Sequence, residues 1–432
     1  MIESNIKANI LSEIDRRKGE IIDFLRNLVK IPSIVGHEGD AQKFIERKFR
    51  ELNLDVDVFE ANSKELRKDP AFFETTSYKN MGYKCRPNVV GKLRGTGKGK
   101  SIILCGHIDV VSPEPVSLWT HPPWGAEIVD GKLYGRGACD QKGGIAAMIY
   151  ALQCILEVGV KPKGDIILET TIEEEDGGIG GALATILRGY TADAAILTEP
   201  TNCTFIGVAS AGVLYFRVKV SGKPAHASVA HRGINAIGKA IKIYNALVRL
   251  NRERQRRIKY PLAEKFAPDL RGHVTTLNVG VIKSGDWPST VPGWAELECR
   301  IGWPPGEKLN DVKKQIENVI NKTAMTDYWL RRNPPKIEWI GWQAEPSEQD
   351  IGHPLVQTVK KYAKEVTGKS ITFYGGHAGL DTRHFIAHNI PAITYGPRGE
   401  NYHSVDEYVE VNSVVDVTKV LALTLLDWCG YK

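Results

Sequence analysis

The stretch LCGHIDVV sets His107 and Asp109 at the end of an apolar run, and because strand side chains alternate with period two, both point to one face. An imidazole there can bind a metal ion, and a carboxylate accepting its other N–H would fix its tautomer and orientation. From this pair alone a satisfied buried histidine is the alternative. YGRGACDQKGG places Asp140 in a glycine-rich turn opening a helix, where the helix N-terminus favours negative charge. Such a carboxylate can bridge two cations or simply cap the helix. TTIEEEDGG follows an apolar strand with Glu173, Glu174 and Glu175, adjacent carboxylates that repel one another unless cations or solvent separate them. A solvated acidic loop is the alternative there. Glu199 ends the run AAILTEPTN, and His403 lies in PRGENYHSVDEY behind the apolar ITYG. Imidazole and carboxylate donors of this kind suit zinc while leaving a position for water, and they also accept cobalt or manganese.

The elements that must position these residues alternate along the first half of the chain. Ile21 to Ile31 has helical spacing and is stopped by Pro32, and Asp40 to Leu52 is a second amphipathic stretch. Val89 to Leu93 and Ser101 to Leu104 read as strands joined by a turn through GKLRGTGKGK. Gly143 to Val158 reads as a helix, Asp165 to Thr171 as a buried strand, Gly180 to Leu187 as a helix and Ala194 to Thr198 as a strand. This rhythm predicts a mostly parallel sheet covered by helices. After Pro200 the texture changes: GVLYFRVKVSG, HVTTLNVGVIKSG and GWAELECRIGW alternate with period two, around helices from Asn235 to Leu250 and Leu309 to Thr323. A strand at Lys336 to Ile340 closes this α+β insertion, and His353 to Val366 resumes the α/β rhythm. The expected boundaries are a first domain in two parts, 1–204 and 341–432, interrupted by an insertion at 205–340.

Composition narrows the classes. At 432 residues the chain exceeds one ordinary core, and 42% apolar with 25% charged residues is average globular usage. A formal charge of +6 is too small to imply nucleic acid. No apolar run reaches the roughly 18 residues of a spanning helix, so no membrane partner is expected. The first residues lack the uninterrupted apolar core of a signal peptide, and seven scattered cysteines read as free thiols, which together point to a cytoplasmic protein.

The motifs GHIDVV, DGKLYGRGACDQKGG, TIEEEDGG, LTEPT, GKPAHAS followed by GINA, and YHSVDEY occur in this order. With them nearly the whole chain resembles the M20 metallopeptidase family, which includes acetylornithine deacetylase, succinyl-diaminopimelate desuccinylase, aminoacylase-1 and carboxypeptidase G2. The resemblance implies a zinc-peptidase-like α/β catalytic domain interrupted by an α+β lid that often dimerises, hence a homodimer through the lid. It implies two divalent ions, with Asp140 bridging them, His107 and Glu199 on one, and Glu175 and His403 on the other. Glu174 would be the general base and Asp109 would orient His107; a register one residue earlier would make Glu173 the base and Glu174 the ligand. His226 of GKPAHAS would polarise the scissile carbonyl, often in the partner subunit's site, and Arg300 of ELECRIGW would hold a substrate carboxylate. Ser289 and Thr290 stand where several family deacylases carry asparagine before VP.

The implied activity is hydrolysis of a small-molecule amide, an N-acyl amino acid or short peptide, by metal-activated water. The alternatives are deformylation or deacylation of a non-amino-acid amine, and a non-catalytic metal-binding scaffold. GKLRGTGKGKS is no phosphate-binding loop, because Arg94 stands where glycine is required. The basic run 251–259 reads as a solvated helix face, His231 as solvent-facing, Cys139 as no nucleophile, and His377 as a pocket-lining or packed residue.

Overall fold

The computed structural model describes residues 2–432. Two compact units divide the chain: the first runs to Val208 and resumes over Glu348–Tyr374 and Leu380–Lys432, and the second comprises Ala209–Ser347 and Gly375–Gly379. The first edge falls inside the strand Phe205–Ser210 and the second just after Lys336–Ala344, a few residues past the expected 204 and 340.

In the first unit the strands Ile102–His107 and Ile166–Thr171 are buried at every position, as strands covered on both faces must be. They lie side by side and parallel, with Ala195–Leu197 and then Ala392–Thr394 continuing the parallel centre. The sheet as a whole is mixed, because Asp55–Glu60, Pro87–Leu93 and Phe205–Ser210 add antiparallel flanks. Pro87–Leu93 and Ile102–His107 do not form the expected hairpin; Ile166–Thr171 lies between them and pairs with both. The intervening glycine-rich loop crosses that strand's entry, where Gly95 N–H donates to Asp165 Oδ1 at 2.8 Å and Gly97 N–H to the Lys163 carbonyl at 3.1 Å. Gly143–Glu157 is apolar nearly all round and correspondingly buried, packed by the C-terminal helix Val411–Cys429. A small separate sheet, which the sequence reading did not anticipate, joins Glu127–Val129, Lys132–Tyr134, Gly399–Glu400 and Tyr408–Glu410.

The second unit is a four-stranded antiparallel sheet in the order Thr276–Ser284, Trp294–Trp303, Gly212–Ser221, Lys336–Ala344. Leu214, Phe216, Val218 and Val220 alternate onto its buried face, against Ile243 and Leu247 of the helix Ala236–Arg257 and Ile316 and Ile320 of Leu309–Met325. Asn235 starts the first of these helices by accepting the Ile237 N–H at 2.9 Å. The basic run at its end is not a purely solvated face. Arg254 is 1% exposed and bonds Glu307 at 2.7 Å and Gln315 at 2.6 Å, while Arg257 shares Glu307.

Candidate metal centre

His107 ends its strand with the ring buried and Nδ1 at 2.9 Å from the Asp109 backbone carbonyl. A carbonyl only accepts, so this contact puts a ring proton on Nδ1 and turns Nε2 toward the neighbouring carboxylates, where it can bind a metal ion once deprotonated. The expected orienting group was the Asp109 carboxylate, whose Oδ1 stands farther from Nδ1, at 3.7 Å. That carboxylate instead accepts the backbone N–H groups of Glu174 and Glu175, at 3.2 and 3.1 Å, tying the His107 strand end to the acidic turn. Burial pushes Asp109 up to about 8.

Asp140 sits in the tight turn before Gly143–Glu157, its carboxylate straddling two histidines. Oδ1 is 3.1 Å from His107 Nε2 and Oδ2 is 3.5 Å from His403 Nε2. What shapes this turn is Glu407, a residue inside the quoted motif YHSVDEY that drew no role from sequence. Its buried carboxylate accepts the N–H groups of Gly137, Cys139 and Asp140 at 2.9, 3.0 and 3.0 Å, and Arg136 Nη1 at 2.7 Å. The other guanidinium arm of Arg136 donates to the Ser404 carbonyl at 2.9 Å. Arg136 and Glu407 therefore clasp the Asp140 turn to the loop carrying His403. An arginine directly before GACD and an acid four residues after His403 were the available signals. Cys139 is fully buried in this clasp, and burial pushes its thiol well above the ordinary value, so it is shielded from oxidants as well as unsuited to attack.

The three adjacent glutamates diverge. Glu173 adopts a left-handed backbone, φ 67°, and its carboxylate turns into the protein, accepting from Thr75, Ser77, Tyr83 and Gly180. Glu175 meets His403, with carboxylate oxygens at 3.0 and 2.9 Å from Nε2. Glu174 lies between them, buried, with Oε1 lacking any hydrogen-bond partner. Burial pushes Glu174 well above the ordinary range and Glu199 up to about 8. Glu199 Oε1 also lacks a hydrogen-bond partner and stands 3.8 Å from His107 Nε2. Asp381, in the segment LDTRHF and without a role from sequence, is a further buried carboxylate whose two oxygens make no hydrogen bond.

Two groups of donor atoms result, each within 4.8 Å internally: His107, Asp140 and Glu199, and Asp140, Glu175 and His403. Asp140 belongs to both. The first group is an imidazole nitrogen facing carboxylate oxygens, a set that repels itself unless a cation or a proton sits inside; against burial, the hydrogen bond to Asp140 and the charge of Glu199 hold His107 well above its ordinary value, so a proton on Nε2 answers that demand here. Hydrogen bonds to Asp140 and Glu175 raise His403 to about 10, the same demand for positive charge answered by a proton. Imidazole and carboxylate without thiolate fits a borderline-hard divalent ion. His226 and Arg300 both belong to the second unit. His226 is exposed, with Nδ1 accepting the Ser228 N–H at 3.1 Å. Arg300 is half-buried on the strand Trp294–Trp303, and His377 is held below its ordinary value by burial and by Arg300.

Comparison with known proteins gives a consistent set of relatives. The sequence model of Peptidase family M20/M25/M40 matches residues 103–427. A protein of Halalkalibacterium halodurans named N-formyl-4-amino-5-aminomethyl-2-methylpyrimidine deformylase is 26% identical over 453 aligned residues, covering 99% of each chain. A Bacillus subtilis protein of the same name is 28% identical, covering 98% of each chain. Among solved structures, an M20 family metallo-carboxypeptidase of Sulfolobus solfataricus superposes with a TM-score of 0.73 at 19% identity, over 94% of this chain and 98% of that one.

Proposed function

This chain belongs to Peptidase family M20/M25/M40, and from that premise we propose that it hydrolyses a linear amide with two divalent metal ions sharing Asp140. The observation that carries this reading is the pair of donor groups meeting at one carboxylate, each composed for a cation. His107 and Glu199 would hold one ion, Glu175 and His403 the other. The ions, once bound, supply Lewis-acid polarisation of the carbonyl and an acidified water. Glu174 is the general base: it takes the water proton and returns it to the departing nitrogen, which amide cleavage requires because an amine anion leaves poorly. Its free Oε1 supports this role, since no neighbour holds that oxygen. Asp109 positions the turn carrying Glu174 and Glu175 through their backbone N–H groups. From the second unit, His226 would polarise the scissile carbonyl and Arg300 would hold a substrate carboxylate. Zinc suits the donors best, with cobalt and manganese as substitutes. The catalytic and lid segments at 1–204, 205–340 and 341–432, dimerisation through the lid and a cytoplasmic location belong to the same proposal.

On the substrate, an N-acyl amino acid or short peptide agrees with Arg300 and with the peptidase family. A second reading has its own support. Two full-length relatives carry the name of a deformylase acting on a pyrimidine amine, so a formyl group on a non-amino-acid amine is a direct candidate. The test is amine release from N-formyl, N-acetyl, N-succinyl and N-carbamoyl amino acids, dipeptides and N-formylated aminomethyl heterocycles, by metal-free and zinc-reconstituted protein. Zinc-dependent release from one class names the substrate; silence across the panel with two equivalents of zinc bound would refute the hydrolase reading.

A further inference from the structure

Between the strands Asp55–Glu60 and Pro87–Leu93 the chain leaves the sheet for an excursion over residues 61–86, through the short helices Ser63–Leu66 and Thr76–Met81. Its polar side chains converge on one target. Thr75 Oγ1 and Ser77 Oγ donate to Glu173 Oε1 at 2.7 and 2.6 Å, and Tyr83 OH donates to Oε2 at 3.1 Å. Arg86 Nη1 stands 3.5 Å from Oε1, and the guanidinium is locked to Glu38 by bonds of 3.0 Å from Nε and 2.8 Å from Nη2. On the far side of the acidic turn, Ser77 N–H donates to Asp176 Oδ2 at 2.6 Å. The excursion thus grips the turn at Glu173 and Asp176, and the two residues between are Glu174 and Glu175.

Glu173 is 0% exposed and fully used, its Oε2 also taking the Gly180 N–H at 2.7 Å. A carboxylate is the side chain that can accept from all these donors at once, because it has only acceptor sites. Its left-handed backbone reverses the chain there, so the side chain that is gripped faces away from the pair that follows. Asp109 holds the same turn from the opposite side by the Glu174 and Glu175 N–H groups.

We propose that Glu173 is a positioning residue and that residues 61–86 act as a clamp: their hydroxyl donors fix Glu173, and through it the placement of Glu174 and Glu175. This rests on the reading that Glu175 binds a cation and Glu174 handles the proton. The clamp reaches them only through the turn, so its loss leaves the ligands present but misaimed, and substrate contacts elsewhere unchanged.

The test uses the full chain carrying Thr75→Val together with Ser77→Ala, which removes two donors, and Thr75→Ser as the conservative control. Zinc binding to metal-depleted protein is measured by chelator competition, with kcat, KM and the thermal midpoint. The double variant should weaken one of the two zinc constants about tenfold or more and lower kcat by about 10- to 100-fold, as loss of supporting hydrogen bonds around metal ligands does. KM should stay within about twofold, and Thr75→Ser should keep both zinc constants and kcat near wild type. Unchanged zinc constants and kcat in the double variant overturn the proposal. So does an equal decline in Thr75→Ser, which would mark a role in folding alone. If the wild-type protein hydrolyses no amide, the zinc titration still decides the clamp, while the hydrolase reading fails separately.

Discussion

Replacing Glu169 by glutamine should make the protein less sensitive to alkaline pH, although this residue has no part in the proposed chemistry. Glu169 lies in the strand Ile166–Thr171 with neighbours Val90 and Cys105 on the flanking strands, and it is 0% exposed. Oε2 accepts the Thr185 hydroxyl at 3.0 Å and Oε1 has no hydrogen-bond partner. Burial raises the carboxyl from 4.5 to about 8. The folded chain therefore keeps a proton that the unfolded chain releases, and its stability contribution is complete below pH 4.5 and lost as pH rises through 8. The loss accumulates at about 1.4 kcal/mol per pH unit, and 8 − 4.5 = 3.5 units gives an upper bound of about 5 kcal/mol. Glutamine does not titrate. Its amide N–H groups, facing the site where Oε1 has no partner, cost about 1–3 kcal/mol at every pH. Urea unfolding of both proteins at pH 5, 6, 7 and 8.5 separates the constant from the varying part. The variant should gain on wild type by about 2–4 kcal/mol between the lowest and highest pH. A difference that stays flat across that range would falsify the assignment of Glu169 as a proton-holding core carboxyl.

Three further substitutions probe other levels of the structure. Glu174→Gln should retain two zinc equivalents while kcat falls by about 10²–10⁴, measured on whichever amide the substrate panel identifies; wild-type turnover would remove Glu174 from the base role. Glu407→Gln strips the counter-charge from buried Arg136 and should cost about 3–5 kcal/mol in unfolding free energy, with zinc affinity falling as the Asp140 turn and the His403 loop come apart. A change within about 0.5 kcal/mol would mean that the clasp carries no load. Arg254→Met, in the second unit, leaves Glu307 to Arg257 and Gln315 and should destabilise by about 1–3 kcal/mol, whereas a solvated basic face would give about 0.5 or less.

The elements that position the centre were legible because fully buried parallel strands write themselves as uninterrupted apolar runs. Residues 102–105 and 166–168 are such runs, and His107 and the acidic turn stand shortly beyond them. What failed was pairing. Pro87–Leu93 and Ile102–His107 are neighbours in sequence, and a glycine-rich link between two strands reads as a hairpin, yet the strand that separates them comes from more than sixty residues later. Periodicity is local and carries no information about which edge a later strand will take.

The same limit governs the polar residues. His107 and Asp140 could be singled out by type and local setting, since one stands at a strand end and the other in a glycine-rich turn, whereas Glu175 is told apart from its two neighbours only by the family resemblance. Glu407, Glu173 and Asp109 could be seen as acids, but their work lies in what they accept. Glu407 takes three backbone N–H groups from a turn some 270 residues away in sequence, and Glu173 takes hydroxyls from an excursion nearly a hundred residues earlier. Asp109 has the right spacing to serve the imidazole beside it, and spacing favoured that partner. The geometry favours the backbone of Glu174 and Glu175, because a carboxylate with two N–H groups converging on it gains more than one facing a ring nitrogen at 3.7 Å. The ring is satisfied instead by a carbonyl, which any residue at position 109 would supply. Asp109→Asn therefore distinguishes the two arrangements. Orientation of His107 through the backbone survives it, while the turn holding Glu174 and Glu175 loses half of its anchoring acceptors, so the deficit should appear in the general base and not in the imidazole.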